Sequence, residues 1–194
     1  MTAAWIEMID VDAATGEVAE MYELVKTPHG TVDNVMRAHS LRPHTMKGHV
    51  TLYRSVLHHE NNTLPFWFLE IVASYTSHLN QCEYSFSHHF TNAVNLMNDR
   101  ERSDKILAAF EARAPERVFS GKELAFLKYT EALTVDVANI DRTIFDQMKE
   151  VGCGDGEILE VNQVVAYFSY SNRLLNGLGV TTEGDTVGYY QEAE

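Results

Sequence analysis

Cysteine is scarce in this chain, and so is positive charge. Two cysteines, Cys82 and Cys153, stand among 194 residues. That is too few for a disulfide framework, and a reducing cytoplasm is the simplest setting. Lysine and arginine number 15 against 28 aspartates and glutamates, a formal net charge of −13. Such a surface repels polyanions, which argues against nucleic acid and against an anionic membrane as partner. No apolar run approaches the roughly 18 residues that read as a membrane span. The opening MTAAWIEMIDVD lacks a basic start followed by an apolar stretch, so it does not read as a signal peptide. Only 4 prolines and 11 glycines are present, with no low-complexity segment between them.

What is present is helical periodicity. Hydrophobic residues make up 45% of the chain, enough for a core. No stretch alternates with period two, so the fold class is all-α. Helices are expected over about 16–26, in TVDNVMRAHSLRP before Pro43, and over about 43–59 and 65–78, the last two opened by proline. Others are expected over about 82–98, 100–112, 120–134, 142–151 and 155–176. Ser120 with Glu123 reads as a capping box, Asp141 and Asp155 as caps, and Gly177 with Gly179 as the stop of the long helix. Residues 1–180 read as one domain, with its core motif at about 65–98. Residues 181–194 read as an acidic tail or a subunit contact.

The chemistry concentrates in FWFLEIVASYTSHLNQCEYSFSHHF, residues 66–90. At about 100° per residue, Ser85 falls about 60° and His89 about 20° from Cys82, on the stripe continued by Ala93 and Leu96. His88 lies about 120° away, and Tyr84 points nearly opposite. A cysteine in a first helical turn feels the helix N-terminus, which favours thiolate. A histidine two turns on can exchange protons with a group held between them. Glu70 shares a polar stripe with Thr63, Ser74 and Ser77. That stripe is either a solvated edge or a seam facing a small polar cavity, where an enclosed carboxyl could shuttle protons.

Each part also has a plain structural reading. A lone inward cysteine is commonly a small buried apolar residue, and an inward histidine a hydrogen-bonded core residue. A metal site from Glu70, Cys82 and His89 is conceivable. Adjacent histidines such as His58–His59 and His88–His89 diverge on a helix, however, and no HExxH or paired CxxC occurs. Neither metal nor cofactor is expected. Cys153, in the glycine-rich VGCGDGE, reads as incidental.

Glu70, then Cys82, position 85 and His89, written E…NQCEYSFSHH, resembles the core motif of the AhpD-like alkylhydroperoxidases and carboxymuconolactone decarboxylases. The stretch EILEVNQVVAYFSYSNRLLNGLGV, at 157–180, is similar to the C-terminal helix of the longer peroxidase-related branch. LKYTEALT, at 127–134, fits the helix before it. The resemblance implies an all-helical domain that forms homo-oligomers, dimers or hexamers. It also implies a Cys-x-x-Cys thiol peroxidase in which glutamate and histidine relay protons. Here the second thiol position is Ser85, so an intramolecular dithiol cycle cannot run. Cys82 matches the position that normally resolves the disulfide.

Three readings follow. One is a single-cysteine thiol oxidoreductase with catalytic Glu70, Cys82, Ser85 and His89, turning over a small peroxide with an external thiol reductant. The second is cofactor-free acid–base chemistry by His89 and Glu70 on a small organic substrate, as in the decarboxylase branch. The third is a catalytically silent assembly or ligand-binding protein. The apolar PFWFLEIV exceeds what one helix face needs and is expected to serve a subunit interface.

Overall fold

Two prolines set where helices begin. Pro43 is the first residue of the helix α3, Pro43–Leu57, and Pro65 immediately precedes α4, Phe66–Leu79. Proline fits there because the first helical N–H groups have no intrahelical acceptor. The computed structural model describes residues 3–190, and every regular element among them is helical. Before α3 come α1, Gly16–Val25, and the single turn α2, Asn34–Arg37. After α4 come α5, Glu83–Met97, α6, Arg100–Glu111, α7, Gly121–Val135, α8, Arg142–Glu150, and α9, Asp155–Leu178.

Helix α4 is the axis of the core and packs against α5, α7 and α9. Phe68 through Ser77 are all buried, so this helix shows no solvent face over more than two turns. Burying each large apolar side chain contributes roughly 1.5–3 kcal/mol. The expectation that PFWFLEIV is surplus apolar surface does not hold. Phe68, Leu69, Ile71 and Val72 are consumed inside the chain, while Phe66 and Trp67 pack on the edge of the same core. The guanidinium of Arg102 covers the Trp67 ring at 4.7 Å. A helix surrounded on all sides needs apolar residues on all sides, which a one-face count misses.

The caps depart from expectation in two places. Asp99 and Asp141 accept from the Arg102 and Thr143 backbone N–H groups, as N-caps do. Ser120 makes no side-chain cap, and Glu123 instead lies 3.6 Å from Arg102. At α9 the cap is Gly154 rather than Asp155, and the Glu157 carboxylate accepts the Gly154 N–H at 2.6 Å. Gly177 stays within α9; Gly179, at φ +58°, ends it. A side chain at Gly179 would place its first carbon 2.2 Å from the Trp5 ring, so only glycine serves there.

Residues 181–190 run back over the body as a strap. Asn34 donates its side-chain amide to the Thr181 and Glu183 carbonyls, and its backbone N–H meets the Asp185 carboxylate at 3.1 Å. Tyr84 donates its hydroxyl to Asp185 at 2.5 Å. Asn95 donates to the Tyr189 carbonyl at 2.7 Å, and the Tyr189 hydroxyl donates to Asp33. Four residues of the expected acidic tail, 191–194, lie outside the described residues.

Candidate functional site

The strap, α3, α5, α9 and the loop before α2 line a cavity of about 380 Å³. On its wall His89 faces inward from α5, with 12% of its side chain exposed. Its Nδ1 stands 2.6 Å from Glu70 Oε2 on α4. Glu70 is wholly buried, and its other oxygen accepts from Asn92 Nδ2 at 3.2 Å. Asn92 Oδ1 in turn accepts the backbone N–H of Tyr189 at 2.6 Å, which joins the strap to the carboxylate. With the carboxylate as acceptor, the Nδ1 N–H is the donor of this contact, and Nε2 is the ring nitrogen that the carboxylate leaves unengaged. A carboxylate that orients a histidine in this way leaves the far nitrogen free to take or give a proton.

The polar stripe of α4 is a buried seam. Ser74 and Ser77 return their hydroxyls to backbone carbonyls one turn back, at 2.6 and 2.8 Å. Ser77 also reaches Ser85 Oγ at 3.0 Å. Thr63 leaves the stripe, because it precedes α4 and bonds Glu160 at the surface.

The four side chains singled out in the sequence therefore divide. Ser85 and His89 line the cavity, and Glu70 stands behind His89. Cys82 does not line it. Its side chain, in a residue 1% exposed, packs in an apolar cluster with Ala4, Ala38, Tyr84, Leu175 and Val180, of which Tyr84 and Leu175 also line the cavity. Burial pushes the Cys82 thiol up, against the opposing influence of the Ser85 backbone N–H. The expected thiolate stabilisation by the helix end is thus outweighed by desolvation.

The helical phase read from Cys82 fails for a definite reason. Cys82 is the N-cap of α5, with φ −99° and ψ 90°, so its side chain leaves the helical spiral that the wheel assumes. The buried face of α5 is centred on Tyr84, Ser85, His88 and Asn92 rather than on Cys82. Tyr84 and His88, expected to face away, are cavity residues.

Several wall residues were not anticipated. His49, Tyr53 and His58 come from α3 and its end, Tyr167 and Phe168 from α9, and Asp33, Tyr189 and Tyr190 from the loop and strap. Asn92, one turn beyond His89, was within reach of the same periodicity argument. Burial drives His49 down to about 3, with the His39 charge adding to it. Burial likewise drives His58 and His88 each to about 4. All three are neutral near pH 7. Burial raises Asp33 to about 6, although it accepts the Tyr189 hydroxyl. Among the described residues no group of three or more His, Cys, Asp or Glu is arranged to hold a metal ion. No described helix is long and apolar enough to cross a membrane.

No protein-family model matches the sequence, and no curated protein matches it. Solved structures do. An uncharacterized peroxidase-related protein from a Silicibacter species superposes with a TM-score of 0.82 at 18% identity, covering 98% of this chain and 97% of that one. An AhpD-core peroxidase-related protein from Ralstonia eutropha gives 0.80 at 17% identity, covering 95% of each chain. A debrominase gives 0.72 at 18% identity, covering 91% of each chain. At this identity the likeness concerns the backbone, and on that ground the chain has the AhpD-like all-helical fold of the peroxidase-related proteins.

Proposed function

We propose that this protein is a cofactor-free acid–base enzyme acting on a small organic molecule held in the cavity. His89 is the proton-transferring residue and Glu70 its positioning partner. The observation that carries this reading is the 2.6 Å contact between His89 and a wholly buried Glu70, on the wall of the cavity. A carboxylate with one oxygen on His89 and the other on Asn92 fixes the ring's orientation, which a general base needs. Nitrobenzisoxazole is a suitable neutral probe. A base removes its ring C–H proton as the N–O bond breaks, giving a coloured nitrile phenolate. The protein should accelerate this ring opening, and His89→Gln and Glu70→Gln should each slow it. Equal rates for the parent and both variants would sink the reading.

A second reading is favoured by the two peroxidase-related fold neighbours and by the position of Cys82 at the start of the helix that carries His89. In it, a peroxide oxidises the Cys82 thiolate to sulfenic acid and leaves as alcohol or water. One external thiol condenses with the sulfenic acid, releasing water and forming a mixed disulfide, and a second displaces Cys82 as the thiol and leaves as the external disulfide. Peroxide-dependent trapping by dimedone, lost in Cys82→Ser and kept in Cys153→Ser, would support it. Assembly into a homo-oligomer belongs to the same set of proposals. Its support is exposed apolar surface at Trp5, Leu52 and Leu159, and sedimentation tests it.

A further inference from the structure

Four unpartnered, buried polar atoms belong to cavity-wall residues: Asp33 Oδ1, His49 Nδ1, His58 Nε2 and His88 Nε2. All four are sealed within the protein, so a molecule in the cavity does not reach them. The polar atoms that matter to a ligand are those left both free and open. His89 Nε2 is one. The other ring nitrogen is held by Glu70, while Nε2 has no partner among the described residues and is not sealed. The Tyr53 hydroxyl is another. Six of the nine tyrosine hydroxyls are engaged, by Ile9, Glu131, Asp185, Asn162, His49 and Asp33. Of the other three, Tyr170 and Tyr190 are 44% and 39% exposed, and water serves them. Tyr53 is half-buried on the cavity wall. A tyrosine so placed usually finds a partner for its hydroxyl within the chain, and Tyr53 is the one that does not.

Its place is fixed by its ring rather than by its oxygen. The Tyr53 ring, from α3, meets His58 at 4.7 Å, Tyr167 at 5.8 Å and His89 at 6.2 Å between centroids, edge-on to both histidines. A ring wedged among three others does not swing freely, so the hydroxyl is held in place. The groups whose charge this hydroxyl feels are Glu70, Tyr190, Tyr167 and Tyr189, all on or behind the cavity wall. Its oxygen therefore lies on the cavity side of the ring. Burial, followed by the Glu70 charge, pushes the hydroxyl well above the ordinary tyrosine range. It stays an O–H donor and does not serve as a base. One wall thus presents an oriented base, His89 Nε2, and beside it an uncommitted donor.

The geometry points to Tyr53 as a second catalytic residue, whose hydroxyl donates to the substrate oxygen that gains charge as His89 removes a proton. The assignment rests on the acid–base reading and deepens it by naming a substrate class. That class is a neutral carbon acid joined to an oxygen able to take the electron pair, as in a small ketone. His89 Nε2 takes the proton, the C–H electron pair forms a carbon–carbon double bond, and the carbonyl π pair moves onto oxygen. The enolate oxygen accepts from Tyr53. Return of the proton from His89 closes the cycle, with nothing oxidised or reduced. A donor aimed at charge that develops only in the transition state is worth about 10²–10³ in rate. In a benzisoxazole the roles are the same: the N–O bond breaks, and the charge arrives on the phenolate oxygen.

The test varies how much that oxygen needs the donor. In nitrobenzisoxazole the nitro group spreads the phenolate charge, whereas in unsubstituted benzisoxazole the charge stays on oxygen. On the intact protein, Tyr53→Phe should lower kcat/KM by about tenfold or less for the nitro compound and by about 10²-fold or more for the unsubstituted one. His89→Gln should slow both. The Tyr53→Phe variant keeps the ring contacts and leaves no partner unpaired, so its urea midpoint should match the parent's. A loss no greater on the unsubstituted probe than on the nitro one, as a merely structural change would give, overturns the Tyr53 assignment. So does no loss on either. In both cases the acid–base reading stands if His89→Gln still slows the two probes. No acceleration of either probe by the parent protein would remove that reading and the assignment together. Should Tyr53→Phe fail to fold, the parent decides. Its acceleration over free imidazole should be about tenfold or more larger for the unsubstituted compound than for the nitro compound. Equal accelerations would overturn the assignment.

Discussion

Cys82 and His89 sit at the start and middle of one helix, on what the sequence marks as one face, yet they occupy different surroundings. His89 lines a cavity and is oriented by a buried carboxylate. Cys82 is packed among alanine, leucine, valine and Tyr84 side chains, with its thiol pushed up by burial. The difference teaches that motif spacing fixes which residues travel together along a helix, but not which of them share a chamber. Proton chemistry needs an accessible nitrogen with a positioned partner. Thiol chemistry needs an accessible thiolate, and desolvation works against that here.

The largest expected effect bears on the His89 side. His89→Gln should lower the rate of nitrobenzisoxazole opening by about 10²–10⁴-fold, the range for a positioned acid or base. In the same assay Cys82→Ala should leave the rate within about twofold. A large loss in Cys82→Ala would break the comparison by tying the thiol to the cavity.

Acid should expose the cavity side next. His49, His58 and His88 are held below their ordinary 6.5. As pH falls below about 6.5, the unfolded chain takes up protons that the folded protein declines, so stability is lost. Each histidine contributes about 1.4 kcal/mol per pH unit until its folded pKa is reached. Asp33, raised to about 6, acts in the opposite sense. The folded protein retains a proton there that the unfolded chain has released, so that stabilisation is lost as pH rises through about 6 and offsets one histidine. The net is a loss of roughly 3 kcal/mol between pH 6 and pH 5, read from urea midpoints. A flat profile over that interval would mean that these histidines are not buried as described.

The smallest effect belongs to Cys82. Iodoacetamide should modify the folded protein about tenfold or more slowly than the urea-unfolded chain at the same pH, followed at Cys82 by peptide mapping. Equal rates would place the thiol in reach of small reagents and revive the single-cysteine reading.

Much of the fold was legible in the residues. Helix starts at Pro43 and Pro65, the stop at Gly179 and the all-helical class follow from local rules that need no tertiary partner. The α9 cap was misplaced by one residue, because Glu157 reaching back to Gly154 competes with Asp155 for that role. The role of α4 was legible only in part. Its apolar run was plain, but the run covers a helix buried on every side rather than an interface. At the site, the pairing of Glu70 with His89 could be anticipated as two inward polar groups on consecutive helices. The strap could not, since TTEGDTVGYY carries no periodicity and its place is set by Asn34, Tyr84, Asn92 and Asp33, all distant in sequence.

By itself the sequence determined the helices and set Glu70 and His89 on consecutive helices, because these depend on spacing within one helix or across one short turn. Only the tertiary structure decided that Cys82 stays behind the cavity wall rather than on it. A side chain at an N-cap is no longer governed by helical periodicity, and its surroundings are supplied by Ala4, Ala38, Leu175 and Val180 from distant parts of the chain.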